Sequence, residues 1–375
     1  MTCTDRAHGL AGGYVKADWP LLRDDEITRV AALYPDVGSP ARSTWRSERP
    51  LSAAAIIASP HGRFFLKRHH RSVRSTATLD EEHRFIAHLR AHGMATPRIL
   101  AAATGATATA AGEWVYEVQT CAAGTDLYRD AMSWVPITEV AHAHAAGRTL
   151  AALHDAAAGY AAPQRATHLL VARSDILRAA DPADVLAAQL PNRPGLGDYL
   201  RRRNWRRDLA GACGPGQRDF AARIASQPAM WTHGDWHVSN LCWTGTGADA
   251  RVSAVFDFGL AAANFALFDL ATAIERNAIA WLALDANAAR VPIARALIAG
   301  YRELRPLAPD AVALLADVLP RVHIDYALSE VEYYHAVTRA DVNADVAYDT
   351  FLIGHAAWFR TAGGRGLLDA IRACA

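Results

Sequence analysis

The fold is decided by residues 231–271, which have the sequence WTHGDWHVSNLCWTGTGADARVSAVFDFGLAAANFALFDLA. Alternating apolar residues predict a strand at 241–243 and a returning strand at 252–256. The Gly-, Thr- and Asp-rich residues 244–250 between them are typical of a turn. The stretch therefore predicts a hairpin centred near residue 248.

Three polar residues meet at the open end of this hairpin. Its register places Asn240 beside Asp257, and Asp235 lies on the loop that enters the same end. Two carboxylates and an amide at one place favour a hard divalent cation, which prefers oxygen ligands. The stretch therefore predicts a site that binds such a cation.

The chain before this stretch is rich in predicted strands. Residues 38–50 and 101–112 are predicted to be loops, because Gly, Pro, Ser, Thr and Ala dominate them. Helix 78–92 is expected to begin with a capping box at Thr78 and Glu81. The predicted elements are helix 24–34, strands 52–58 and 63–67, helix 78–92 and strand 113–120.

The pattern changes to helices after residue 121. Residues 138–158 form a long amphipathic segment, and residues 265–360 are mostly helical in pattern. We therefore expect an α+β fold of two parts, with a β-rich domain at 1–120 and a mostly helical domain at 121–375.

Composition excludes several classes of protein. The 375 residues contain 39 Lys plus Arg and 38 Asp plus Glu, so that the formal charge of +1 argues against a general nucleic-acid binder. No apolar run is long enough to cross a membrane, and the N-terminal MTCTDRAHGL has no signal-peptide pattern. Five scattered cysteines without a CxxC pair predict neither a disulfide framework nor a thiolate zinc site. We expect a cytoplasmic protein that binds neither nucleic acid nor membranes.

Lysine is rare in this chain. Lys16 and Lys67 are the two lysines, and arginine supplies the rest of the basic residues. Arginine is a wide planar fork and lysine a compact point charge, so a lysine retained in such a chain can mark a position that arginine does not suit.

The motifs resemble those of the aminoglycoside phosphotransferase and choline kinase-like family, which has the two-lobed protein kinase-like fold. The catalytic pattern His-Gly-Asp-x-His-x-x-Asn of that family corresponds to residues 233–240. Its metal-binding Asp-Phe-Gly corresponds to residues 257–259, and a later helix aspartate corresponds to Asp269. Lys67 at the end of a strand and Glu82 in the next helix extend the resemblance over residues 45–275. Departures are the absence of a GxGxxG loop, with a weak match at 47–50, and Asn-Phe-Ala in place of Gly-Asp-Pro before Asp269.

The resemblance implies an enzyme that transfers a phosphoryl group from ATP, with Mg²⁺, to the hydroxyl of a small molecule. It implies that Asp235 orients or accepts the proton of the acceptor hydroxyl, and that Asn240 and Asp257 bind the metal. Lys67 would contact the nucleotide phosphates, and Glu82 would hold Lys67 in place. The hinge whose backbone meets adenine is expected at Glu117, Val118, Gln119 and Thr120.

Other functions remain open at this point. His233, Asp235 and His237 could form the metal cluster of a hydrolase, the same site could serve a protein Ser/Thr kinase, and a silent nucleotide-binding pseudokinase is a further alternative. The acceptor could resemble an aminoglycoside, an amino alcohol, homoserine or a sugar. An acidic and aromatic segment at 323–349 favours a cationic acceptor. The sequence does not separate ATP from GTP or indicate an oligomeric state.

Overall fold

The computed structural model describes residues 17–47, 49–129, 131, 134–285 and 287–375. The predictions that concern the N-terminal segment, Lys16 and Glu48 fall on residues outside this described part. The chain divides into two compact units. The first contains the described residues up to Gly124 together with Ser253–Phe256, and the second contains Thr125–Val252 and Asp257–Ala375.

The first unit is built on a five-stranded antiparallel sheet with the strand order β1-β2-β3-β5-β4. The strands are β1 (Arg42–Arg46), β2 (Ala53–Ser59), β3 (Gly62–His70), β4 (Ala108–Ala111) and β5 (Trp114–Thr120). The two edge strands, β1 and β4, fall within segments predicted to be loops, and those predictions are wrong. Both strands are short, largely exposed and poor in branched apolar residues, so that backbone pairing with β2 and β5 forms them without a hydrophobic pattern.

Two helices accompany this sheet, α1 (Asp24–Ala31) and α2 (Thr76–Ala91). In α1, Ile27 and Val30 are buried in the core that includes Leu66 and Val118 of the sheet. Helix α2 begins at Thr76, two residues before the predicted start, because Ser75 is its cap. The Ser75 Oγ accepts a hydrogen bond from the Thr78 N–H, and the Thr78 hydroxyl accepts one from the Ser75 N–H.

Beyond Gly124 the chain is mostly helical, and four short strands frame the catalytic motif. The strands are β6 (Met230–Thr232), β7 (Leu241–Thr244), β8 (Arg251–Val255) and β9 (Ala262–Asn264). The helices are α3 (Val140–Ala156), α4 (Pro182–Gln189), α5 (Pro194–Leu200), α6 (Trp205–Cys213), α7 (Gln217–Ala225), α8 (Ala266–Ala278), α9 (Val291–Arg302), α10 (Pro309–Val318), α11 (Ile324–Glu332), α12 (Asp341–Asp345), α13 (His355–Trp358) and α14 (Ala362–Arg372), with π-helical segments at Tyr333–Val337 and Val346–Gly354.

Strands β7 and β8 form the two-stranded sheet that the sequence predicts, so the hairpin is confirmed. Helix α8 is buried along nearly its whole length, and it packs against α3, α9 and α10. None of the helices in the described part of the chain is long and apolar enough to cross a membrane.

Candidate active site

Two loops of the second unit are brought together by a strand pair. β6 and β9 pair antiparallel, with Thr232 opposite Ala262, so that the loop after β6 lies beside the loop that leads into β9. Gly234 has φ +77°, and a Cβ atom at this position would lie 2.7 Å from the Leu260 carbonyl oxygen. Glycine is therefore required both by the left-handed backbone and by the close approach of the two loops.

Asp235 lies on the loop after β6, and the two oxygens of its carboxylate have different partners. Its Oδ2 accepts a hydrogen bond from Asn240 Nδ2 at 3.0 Å, and the same amide donates to the Asp235 carbonyl at 2.9 Å. Its Oδ1 faces Arg276, whose Nη2 is 3.5 Å away. Because the Asn240 amide nitrogen is committed to Asp235, the Asn240 Oδ1 is the atom of this side chain that can serve a cation.

Asp257 follows β8 by two residues, and Asn240 directly precedes β7, so both belong to the same end of the hairpin. Asp257 has φ +61°, which is unusual for a residue with a side chain. Such strain is concentrated at functional positions. The next residue, Phe258, is buried, and its ring centroid lies 4.7 Å from that of His233. An amide oxygen and a carboxylate at this end have the donor chemistry that suits a hard divalent cation.

Helix α8 holds residues 233–240, which match the family's catalytic pattern and are called the catalytic loop for that reason, at two places. Fully buried Asp269 accepts the His233 N–H at 2.8 Å and the Gly234 N–H at 2.9 Å, and His154 Nε2 lies 3.2 Å from the same carboxylate. Burial opposes ionisation, but the hydrogen bond and positive charge of His154 hold the pKa of Asp269 below its ordinary value. Asn277 donates to the Trp236 carbonyl at 2.7 Å.

Asn277 also accepts the Val238 N–H at 3.1 Å. The sequence interpretation did not identify this residue. The spacing in the sequence could have identified Asn277. It lies eight residues after Asp269, a little over two helical turns, and therefore near the helix face that carries Asp269.

The metal-hydrolase alternative is wrong for this geometry. His237 Nδ1 accepts the Ser239 N–H at 3.2 Å, and its Nε2 lies 3.2 Å from the Val135 carbonyl oxygen. His233 Nδ1 accepts the Asp235 N–H at 3.2 Å. Within the described ranges, no group of three or more His, Cys, Asp or Glu side chains is placed to hold a metal ion. Both imidazoles therefore fix the loop.

Arg276 is a further residue beside Asp235 that sequence reasoning missed. Its side chain is 7% exposed, and the guanidinium lies 4.0 Å from the centroid of the Trp134 ring. Burial opposes the charged form, but Asp235 and Glu275 raise the pKa of Arg276, so the guanidinium stays charged. Its position could have been inferred, since seven residues after Asp269 returns to the same face of a helix.

Lys67 lies on the central strand of the first unit, directly opposite Glu117 of β5. Because side chains alternate along a strand, Lys67 and His69 share the sheet face that carries Glu117. Helix α2 contacts this face through His83, whose Nε2 is 2.8 Å from Glu117. Glu82, the preceding residue of α2, is 4% exposed. The sheet face that carries Lys67 is therefore the one that α2 contacts.

A buried chain of hydrogen bonds ties α2 to this face. The Glu117 carboxylate is 2.9 Å from His69 Nε2 and 2.8 Å from His83 Nε2, and His83 Nδ1 is 2.8 Å from the Thr107 hydroxyl. Burial opposes ionisation of Glu117, but the bonds from both imidazoles hold its pKa well below the ordinary value. Burial lowers the pKa of His69, whereas Glu117 outweighs burial and raises the pKa of His83. The network keeps one strand of the sheet and α2 in fixed register.

The assignment of residues 117–120 to the backbone contacts with adenine stays a prediction. These residues lie inside β5, where Glu117 pairs with both Lys67 and Ala108. The Val118 carbonyl accepts the Leu100 N–H at 2.8 Å, and the Thr120 N–H donates to the Arg98 carbonyl at 2.9 Å. The sheet therefore uses several of these backbone groups, and residues 121–124, which follow β5, are further candidates for the contacts.

The acidic and aromatic segment at 323–349 does not form one wall. Glu332 pairs with Arg193 at 2.7 Å, and Tyr199 donates to Asp345 at 2.7 Å. Arg203, in the arginine-rich run 201–207, lies 3.0 Å from Asp349. These contacts join α5 and the segment after it to the C-terminal helices.

A small part of the segment 323–349 lies near the loop that carries Asp235. A narrow cavity beside the catalytic loop is lined by Gly234, Glu275, Arg276, His323 and Tyr326, among others. His323 and Tyr326 are therefore the residues of 323–349 that can face a molecule bound at this loop.

The profile of the phosphotransferase enzyme family matches residues 53–307, so the chain belongs to this family. It is a phosphotransferase of the class that acts on hydroxyl groups of small molecules.

Two relatives of known name are homoserine kinases. The chain is 25% identical over 322 residues to the enzyme of Phenylobacterium zucineum, covering 84% of this chain and 87% of that one. It is 28% identical over 200 residues to the enzyme of Granulibacter bethesdensis, and this match spans 53% of the chain and about half, 54%, of that relative.

Solved structures of similar fold include an amicoumacin kinase in complex with AMP-PNP, Ca²⁺ and its antibiotic, with 14% identity, a TM-score of 0.56 and coverage of 88% of this chain and 95% of that one. A microcompartment-associated aminopropanol kinase has 16% identity, a TM-score of 0.56 and coverage of 92% and 98%. The fold is therefore the two-lobed, protein kinase-like fold of the small-molecule phosphotransferases.

Proposed function

We propose that the protein is an ATP- and Mg²⁺-dependent kinase that phosphorylates the hydroxyl of homoserine or of a closely similar small amino alcohol. The observation that carries the proposal is the environment of Asp235. Its carboxylate is held by Asn240 on one side and faces Arg276 on the other, on a loop that α8 fixes through Asp269. Because the proposed reaction uses ATP, we expect it to take place in the cytoplasm.

Phosphoryl transfer needs positioning and charge stabilisation more than covalent work by the protein. Asp235 accepts or orients the proton of the acceptor hydroxyl, a role worth about 10²–10⁴-fold in rate. Asn240 and Asp257 hold the Mg²⁺, which neutralises negative charge on the nucleotide phosphates when it is bound.

Lys67 and Glu82 act in the first unit. Lys67 contacts the phosphates of the nucleotide as a compact charge, and Glu82 holds the ammonium group in place. The contacts of His69, His83 and Glu117 support this assignment, because they fix α2 against the sheet face that carries Lys67. The backbone at the end of β5 or just after it, within residues 117–124, meets the adenine ring.

Homoserine is the first acceptor to test. The relative that is matched along most of its length carries this name. The charged guanidinium of Arg276 also lines the cavity next to Gly234, which suits an acceptor with a carboxylate better than a neutral sugar. An amino alcohol without a carboxylate is the second candidate, because the fold extends to an aminopropanol kinase.

An ADP-release assay with a panel of acceptors tests the function. The panel contains L-homoserine, 3-amino-1-propanol, choline, glucose and kanamycin, each with Mg·ATP. We expect the highest kcat/KM with homoserine and a phosphorylated product by mass spectrometry. If no member of the panel raises ADP release above the rate without acceptor, the proposed function is wrong.

Two variants test the assigned residues. Asp235→Asn keeps the size of the side chain but cannot take a proton, so we expect kcat to fall about 10²–10⁴-fold with little change in nucleotide affinity. Asp257→Ala should abolish the Mg²⁺ dependence of ATP binding in calorimetry. An Asp235→Asn variant with more than about a third of the original turnover, or an Asp257→Ala variant with unchanged Mg·ATP affinity, contradicts the respective role.

A further inference from the structure

Arg276 differs from the other buried arginines of the chain in its lack of close partners. Arg68 makes two bonds to Glu26, at 2.8 and 3.0 Å, and Arg193 binds Glu332 at 2.7 Å. The guanidinium of Arg276 makes no hydrogen bond to any residue in the described ranges. Its nearest recorded carboxylate oxygens, on Asp235 and Glu275, are 3.5 and 3.6 Å away.

These distances leave hydrogen-bonding capacity unused. A charge-assisted N–H···O bond is normally about 2.7–2.9 Å long, and a guanidinium has five N–H donors. An arginine that has 7% of its side chain exposed and makes no hydrogen bond in the described part of the chain needs an explanation, and the Asp235 Oδ1 that faces it is itself buried without a hydrogen-bond donor there. A ligand that supplies the missing acceptors is such an explanation.

The surroundings of the guanidinium favour a planar anion. The Trp134 ring lies 4.0 Å from the guanidinium carbon, and the Tyr326 ring lies 5.5 Å from it. Aromatic contacts occupy the faces of a guanidinium and leave its edge for hydrogen bonds. The edge of arginine matches a carboxylate with two parallel bonds, which lysine cannot reproduce.

Arg276 and Asn240 contact different oxygens of the Asp235 carboxylate, so Arg276 does not share the side on which the metal and the nucleotide are proposed to bind. Asn240, the metal residue of the proposed function, binds Asp235 Oδ2, whereas Arg276 faces Oδ1. Arg276 also lines the cavity that Gly234 and Tyr326 border. This cavity has room for about one water molecule, so an acceptor that presents a hydroxyl to Asp235 and an anionic group to Arg276 has to widen it.

We propose that Arg276 binds the carboxylate of the acceptor and thereby makes the enzyme selective for a hydroxylated amino acid over an amino alcohol. The inference rests on the proposed function, because it names the group that selects the acceptor of the same site.

The first test uses the unmodified enzyme and three acceptors that differ in one group. L-Homoserine has the carboxylate, L-homoserine amide has a neutral carboxamide, and 3-amino-1-propanol lacks the group. We expect kcat/KM for homoserine to exceed that for the other two by about 10²-fold, as for loss of one partner of a buried charge pair. If all three are phosphorylated equally well, the role of Arg276 is wrong although the proposed function stands. If none is phosphorylated, the proposed function fails.

The second test changes the arginine. Arg276→Gln should raise KM for homoserine and lower its kcat/KM about 10²-fold, and it should lower kcat/KM for 3-amino-1-propanol by a factor about tenfold smaller, because loss of the guanidinium beside Asp235 affects both acceptors. Arg276→Lys should recover part of the affinity for homoserine, because it keeps the charge and loses the fork. Arg321→Gln is the matched control: this guanidinium lies 4.4 Å from the Phe220 ring and binds the carbonyl oxygens of Cys213 and Asp317, and its loss should not alter acceptor preference.

A role toward the transferred phosphoryl group gives a different result. In that case Arg276→Gln lowers kcat alike for every acceptor and also lowers the slow hydrolysis of ATP without acceptor. Uniform loss of this kind, in variants whose melting temperatures stay within a few degrees of the original, overturns the proposal. Retained preference for homoserine in Arg276→Gln overturns it as well.

Discussion

Replacement of Asp269 by asparagine tests how far the position of the catalytic loop depends on one buried carboxylate. Asp269 accepts N–H groups of His233 and Gly234 at 2.8 and 2.9 Å, and His154 Nε2 lies 3.2 Å from it. Asparagine has one acceptor oxygen and one amide nitrogen in the same place. It can satisfy one backbone N–H, but its NH₂ group then faces the other donor.

The cost follows from these contacts. One hydrogen bond to a charged acceptor is lost, worth about 1.5–3 kcal/mol, and the retained bond becomes neutral, which costs about 1 kcal/mol more. The free energy of unfolding should therefore fall by about 2.5–4 kcal/mol. This is smaller than the typical total of about 5–15 kcal/mol, so the variant should fold. At about 2–4 °C per kcal/mol for a unit of this size, the melting temperature should fall by roughly 5–15 °C.

Activity should fall more than stability suggests, because Asp235 directly follows the two residues that Asp269 holds. A displacement of about 1 Å at a reacting group can cost about 10²-fold in rate. We expect kcat of Asp269→Asn to fall by that factor at a temperature where the variant is folded, with KM for ATP changed less than about threefold. Thermal melts by circular dichroism and steady-state kinetics measure both quantities. An Asn variant within 1 kcal/mol and a factor of two of the original enzyme would refute the reasoning.

Three further predictions concern other residues. Lys67→Arg should damage activity nearly as much as Lys67→Met, because the wider guanidinium cannot take the place of an ammonium held by Glu82; steady-state kinetics at varied ATP check this, and an active Arg variant removes Lys67 from the site. Gly234→Ala should lower stability by about 2–4 kcal/mol and kcat by more than 10-fold, because its Cβ would meet the Leu260 carbonyl at 2.7 Å at φ +77°; wild-type melting and turnover would contradict it. Burial lowers the pKa of His323 to about 4, so the unfolded chain binds more protons than the folded one between pH 4 and about 6.5. The folded state should therefore lose up to about 3 kcal/mol of stability as the pH falls through that range. Chemical denaturation at pH 7.5 and 5 should show this loss, and His323→Gln should reduce it.

The catalytic loop could be predicted from the sequence because its geometry is encoded over a short distance. Asp235 and Asn240 are five residues apart, and the hairpin that follows brings the chain back to Asp257. Short turns fix the register of such a hairpin, so local spacing is enough to place the three residues at one end. The structure confirms the hairpin and the contact between Asp235 and Asn240.

The edge strands could not be predicted in the same way. β1 and β4 contain RSTWR and ATAA, in which no alternating apolar pattern distinguishes a strand from a loop. Their strand conformation depends on backbone pairing with β2 and β5, the strands that follow them in the chain. The hydrogen bonds that the backbone of residues 117–120 makes within the sheet could not be predicted either, since the pairing of β5 on both sides is a property of the whole sheet.

Arg276 and Asn277 were not predicted, but their positions around the helix could have been derived from the sequence. Once Asp269 is assigned to the loop, positions seven and eight residues later lie within about 20° and 80° of it around the helix. A charged and an amide residue there, in a helix that is buried and rich in apolar residues, have to face polar groups. One rigid helix thus supplies the carboxylate that holds the start of the loop, the amide that holds its end, and the guanidinium beside the base. Placement on a single buried helix fixes these groups relative to one another more tightly than three loops could. A change in the packing of α8 should therefore move base position and acceptor binding together.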